Sequence, residues 1–226
     1  MEHSKKSAVV TAAVIAVLTG GGLGYAIGNQ MDEPSEVQTS VMMMEPTTDS
    51  AAADLRVLLN NLHTEHVELA TSATRAGFDG DKNFEAAAAS LAENTNQITA
   101  AVTSVYGDEA GERFNEIWES HIGFFVDYTV ATKAGDQAGM DEAVQNLNGY
   151  VAAIANFYSS ANENLPEEVV AEVVGEHVDL LKQTVDTYVA GDLEASYEFE
   201  RQARVQIGGI ADAVSGAIVK QNPDSF

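Results

Sequence analysis

From position 51 onward apolar residues recur at three- and four-residue spacing, and the strict alternation of a β-strand is missing. The pattern predicts six helices, over about residues 51–77, 82–105, 108–134, 137–163, 166–190 and 193–221. The breaks between them carry residues that stop and start helices. Gly107-Asp108, Gly135-Asp136 and Gly191-Asp192 each read as a C-terminal glycine followed by an N-cap, Pro166 suits a first turn, and Pro223 closes the last helix.

The six helices fall into three copies of one unit. His66, His121 and His177 lie 55 and 56 residues apart, and each is followed at the same distance by Gly-Asp, at 80–81, 135–136 and 191–192. Each second helix then carries a corresponding stretch: "QITAAVTSVY" (97–106), "YVAAIANFY" (150–158) and "QIGGIADAV" (206–214), the first copy having two extra residues before it. The unit is a helical hairpin of about 55 residues that must bury its apolar stripe against the other two, as a bundle or a short solenoid.

The histidines sit on that stripe. Four residues before them stand Leu62, Ile117 and Val173, and three after stand Leu69, Phe124 and Leu180, which share one helical face with the imidazoles. Glu65, Ser120 and Glu176, immediately before the histidines, fall about 100° around the helix and mark the edge of the face. An inward-facing imidazole needs partners. One reading supplies polar residues of a neighbouring helix, such as Gln97, Asn156 or Gln206. The other brings His66, His121 and His177 together around a pseudo-threefold centre as nitrogen ligands for zinc, copper or iron, with His63, one turn before His66, as an added ligand.

The segment before the helices has a different character. Lys5 and Lys6 precede 21 uncharged residues, 8–28. As a helix that length spans about 30 Å, one bilayer core. With Asp32 and Glu33 beyond it, the charge order predicts a single-pass anchor with its N-terminus inside and residues 51–226 outside. A secretory signal cleaved near Gly28 fits the same residues. Gly20, Gly24 and Gly28 form a ladder through which two anchors can pack into a homo-oligomer. Residues 29–50 are polar and aperiodic, a flexible tether, and its Met42, Met43 and Met44 offer thioethers that a soft Cu(I) ion prefers.

Composition narrows the function. With 35 acidic against 11 basic residues the chain carries −24, which repels phosphate backbones and excludes nucleic acid as a natural partner. No cysteine is present, so disulfides, thiolate metal sites and thiol nucleophiles are excluded together. The residues three before the core histidines are His63, Trp118 and Val174, so neither His-Glu-x-x-His nor the Glu-x-x-His of di-iron bundles occurs. The glycines of "TGGGLGYAIG" lie in the apolar segment and follow no strand, so they make no phosphate loop. Trp118, Phe124, Phe125, Phe157 and Tyr158 sit at helical spacing, where aromatics form core more often than a ligand cleft.

Several stretches carry a likeness: "LHTEHV" (62–67), "VYGDEAG" (105–111), "AGDQAGMDEA" (134–143), "FYSSANENLP" (157–166), "EHVDLL" (176–181) and "GAIVKQNPDSF" (216–226). Through them residues from about 53 to the end resemble a family of exported bacterial all-helical proteins. The resemblance implies fold and export and carries no activity. That family has Trp where His63 stands, an acidic residue where Ser120 stands, and a further His where Arg204 stands. A guanidinium there replaces a lone pair with a permanent charge, which weighs against a metal beside the last helix. The expectation is therefore an all-α ectodomain acting as a non-enzymatic binding or envelope-associated module, with metal binding at the histidines as the alternative.

Overall fold

The computed structural model describes residues 50–226, which form one compact unit, Ser50–Phe226. The anchor or signal segment with Gly20, Gly24 and Gly28, the tether and Met42–Met44 all lie outside the described residues. Six helices are present among the described residues: α1 (Ala51–Asp79), α2 (Phe84–Tyr106), α3 (Asp108–Ala134), α4 (Gln137–Ala161), α5 (Glu167–Val189) and α6 (Leu193–Gln221). No strand occurs among the described residues, and no helix there is long and apolar enough to cross a membrane.

The repeat is visible in the turns. Gly80, Gly135 and Gly191 adopt positive φ of 70°, 68° and 80°, which glycine reaches without a Cβ penalty. The next backbone N–H in each copy reaches back five residues, from Asp81 to Ala76 (2.8 Å), Asp136 to Ala131 (2.9 Å) and Asp192 to Thr187 (2.9 Å). Asp136 and Asp192 then cap the following helix, each accepting at 3.1 Å from the N–H three residues on. The two extra residues of the first copy divert this device, and Asp81 accepts instead from the Asn83 N–H (2.8 Å) in the loop before Phe84.

Two expected boundaries differ. Gly107 alone separates α2 from α3, so Asp108 is the first helical residue and caps nothing. Pro166 occupies the N-cap of α5, its ψ of 132° keeping it outside the first turn. The fourth helix also stops two residues early, because buried Asn162 turns the chain by accepting the Asn164 N–H on its own side chain (2.9 Å).

Each helix packs on its neighbours in the chain, and α6 closes on α1. That closing contact makes the arrangement a bundle, because a solenoid leaves its first and last elements apart. The odd helices also touch one another. They run parallel: His66 meets His121 at mid-helix, and near the C-terminal ends Phe78 meets both Lys133 and Tyr188. Equivalent positions fill equivalent space, as with Leu59, Phe114 and Val170, which are 4%, 0% and 6% exposed. Successive hairpins meet closely where α3 passes α2 at Gly111, since an added Cβ there would run into Thr103 Oγ1.

Candidate functional site

At the centre of the bundle the three parallel helices bring their histidines inward. His66, His121, His177 and His63 are all buried. His66 Nε2 and His121 Nε2 stand 3.3 Å apart. His121 stacks on Tyr150 with ring centres 4.5 Å apart, while Trp118 lies against His63, His66 and His121. All four histidines line one small internal cavity of about 20 Å³, together with Trp118, Tyr150 and Tyr158. That space accommodates one water or one ion.

The same backbone support carries an amide toward two of the outer ring nitrogens, and it closes a hydrogen bond at His177 alone. Gln206 on α6 donates its amide N–H to the carbonyl of Val173 (2.6 Å), four residues before His177, and its Oε1 takes the His177 Nδ1–H (3.0 Å). On α2, Asn94 donates to the carbonyl of Leu62 (3.0 Å), four residues before His66, and also to Glu65 (3.1 Å). Its Oδ1 lies beside His66 without closing a hydrogen bond of normal geometry, so Asn94 Oδ1 and His66 Nδ1 are both unsatisfied. In the second copy Tyr150 stands where Gln206 stands in the third and offers a ring face instead of an amide. His63 donates its Nδ1–H to Leu59 O (2.8 Å), which leaves Nε2 as a buried lone pair with no partner.

Burial keeps these rings neutral. Loss of water pushes His121 down to about 3 and His177 down to about 4, holds His63 below its ordinary value, and takes His66 well below it, with His121 adding to the effect on His66. Neutral imidazole is the form that offers a lone pair to an ion.

A second, larger space opens above the histidines. A cleft of about 800 Å³ runs between α1, α2, α3 and α5, with His66, His121, Leu91, Thr95 and Leu181 among its lining and Phe78, Phe84, Lys133 and Tyr188 toward the helix ends. Its threonines present little polarity, because Thr71, Thr129 and Thr184 spend their hydroxyls on carbonyls of their own helices. Thr95 Oγ1 differs: it is buried and has no partner. An apolar cleft ending on a few unpaired polar groups is the form small-molecule sites take, and this volume lies in their usual range of about 300–1,000 Å³.

The remaining candidates fall elsewhere. Gln97 and Asn156 are exposed and bond no histidine. Arg204 is exposed and pairs with Glu68 (2.6 Å), away from the cluster. Glu65 and Glu176 are exposed and Ser120 is half-buried, at the rim of the apolar face. Phe125 lines the cleft, whereas Trp118, Phe157 and Tyr158 pack around Phe114 in the core. Among the described residues, no three His, Asp or Glu side chains are placed to hold a metal ion as they stand. Asn94 takes the place expected of Gln97, and its mark in the sequence is an Asn on the apolar helical face one turn earlier. No family model, no curated protein and no solved structure matches this chain.

Proposed function

We propose that residues 50–226 are a non-enzymatic binding module held outside the cytoplasmic membrane, and that its site is the apolar cleft above the histidines. The observation carrying this is that the wall of the cleft of about 800 Å³ is mostly apolar surface, with charged Arg75, Asp81, Lys82, Glu85, Glu119 and Lys133 also among its lining, and that it includes buried Thr95, whose hydroxyl is unpaired. A matching ligand is a small, mainly apolar molecule with one hydrogen-bonding group. The apolar body removes its surface from water at about 25 cal/mol per Å², and the polar end relieves an unsatisfied group.

Titration of the 50–226 unit with the apolar fluorophore N-phenyl-1-naphthylamine is expected to give saturable binding. Ala88 lines the cleft, whereas Ala89, one residue around the helix, is exposed and does not. Ala88→Trp should weaken probe binding about tenfold or more, and Ala89→Trp should leave it unchanged. Equal binding by both variants would remove the cleft from the function.

Location rests on Lys5, Lys6 and the uncharged residues 8–28. Intact-mass measurement of the protein from its native membrane fraction is expected to show the uncleaved chain. A species beginning near Asn29 in the soluble exported fraction would instead make the module a secreted one.

A further inference from the structure

We propose that the small cavity beneath the cleft is a site for one transition-metal ion, ligated by Nε2 of His66, His121 and His177 with His63 as a fourth nitrogen at hand. The first observation is a distance. Two metal–nitrogen bonds of about 2.0–2.1 Å meeting at a tetrahedral angle hold their nitrogens about 3.3 Å apart. His66 Nε2 and His121 Nε2 stand at 3.3 Å, which is long for a direct hydrogen bond.

The second observation is how the outer nitrogens are fixed. Ligating histidines hold their metal-facing nitrogen in place by donating the other N–H to an oxygen. His177 does so to Gln206 and His63 to Leu59, and Asn94 carries its oxygen to the same side of His66 on the same backbone support. This tautomer turns the Nε2 lone pairs of His63 and His177 to the other side of the ring. His63 Nε2 is then buried and orphaned beside a cavity of about 20 Å³, room for one ion. A buried lone pair without a partner is a cost that an ion removes.

The donor set selects the ion. No Asp or Glu lines the cavity, so hard cations such as calcium or magnesium find no carboxylate ligands, while imidazole suits zinc, copper, iron and nickel. Two nitrogens already stand at ligand separation, and His177 and His63 line the same cavity with their Nδ1–H groups still anchored.

The test uses the full chain, freed of metal by chelator and equilibrated separately with Zn(II), Co(II) and Cu(I). One ion per chain is expected after dialysis, with X-ray absorption showing nitrogen neighbours alone at about 2.0–2.1 Å. His121→Gln should lower affinity about ten- to a hundredfold, while Asn156→Leu, at an exposed position that bonds no histidine, should not. Gln206→Leu, which leaves every ligand in place, should weaken binding in the same direction and guards against loss through misfolding. Substoichiometric metal, oxygen neighbours from the acidic surface, or affinity indifferent to His121 would each overturn the site and leave the cavity to a buried water.

Discussion

Metal-free protein taken from pH 7 to pH 5 should lose about 4 kcal/mol of folding stability through His121 and His177 alone, with His63 and His66 acting in the same direction. In the unfolded chain these rings take up protons near pH 6.5, whereas in the bundle His121 waits until about 3 and His177 until about 4. Between those values the unfolded state binds more protons, so stability falls with each step of acidification. Above pH 6.5 both states are neutral at these rings and the penalty vanishes. Each histidine contributes about 1.4 kcal/mol per pH unit within its window, hence about 2 kcal/mol at pH 5.

A domain of this kind is stable by about 5–15 kcal/mol, so the loss brings it close to unfolding well above the pH of ordinary acid denaturation. The surface carboxylates oppose the trend, since protonating them relieves the repulsion of a −24 chain, but that relief arrives mainly below pH 5. Urea denaturation at pH 7.5, 6 and 5 in the presence of chelator measures the slope. A stability unchanged over this range would mean that the four rings are not held neutral inside the fold. His177→Gln should flatten the slope by its own share, which separates the histidines from any other titrating group.

The fold was largely legible because its punctuation is chemical. Gly-Asp at 80–81, 135–136 and 191–192 serves in each copy as a left-handed cap and a turn, and these dipeptides locate the hairpins without any knowledge of packing. The meeting of His66 and His121 was legible for a related reason: equal spacing on parallel helices places equal residues at equal heights. What supports them was legible in the third copy alone, where the expected Gln206 bonds His177, and not in the first, where Asn94 takes the place expected of Gln97. Asn94 and Gln206 donate to the equivalent carbonyls, Leu62 and Val173, from different register positions, a shorter amide from a position one turn earlier than the one aligned with Gln206. The cleft left no mark in the sequence either. Ala70, Ala73, Ala88 and Ala92 line it, and an alanine beside an empty space reads the same as one on a helix surface.

The closure of α6 on α1 rests in part on a pair that no local pattern announces, Arg75 and Glu200, and removing one member should cost about 3 kcal/mol. Arg75 donates to Glu200 (2.7 Å) and to Ser196 (3.0 Å), Thr71 adds a hydrogen bond to the same carboxylate (3.2 Å), and Tyr197 and Tyr188 lie 4.3 and 5.3 Å from the guanidinium carbon. Ser196 is fully buried and donates its O–H to the Thr184 carbonyl (3.0 Å), so the network ties α1 to both α5 and α6. Both side chains of the ion pair are only 15% exposed, which shields them from the screening that makes surface pairs nearly neutral. Arg75→Met leaves the Glu200 carboxylate and Ser196 without their donor in a dry setting, and that uncompensated charge is the source of the loss. Arg75→Lys should recover only part of it, because an ammonium does not reproduce the fork that serves Glu200 and Ser196 together. Replacing both partners, Arg75→Met with Glu200→Met, removes the stranded charge and should restore about 2 kcal/mol relative to the single variant. Denaturant melts of wild type, both singles and the double complete the cycle. A coupling below about 0.5 kcal/mol would place the pair among ordinary surface contacts and leave ring closure to apolar packing alone.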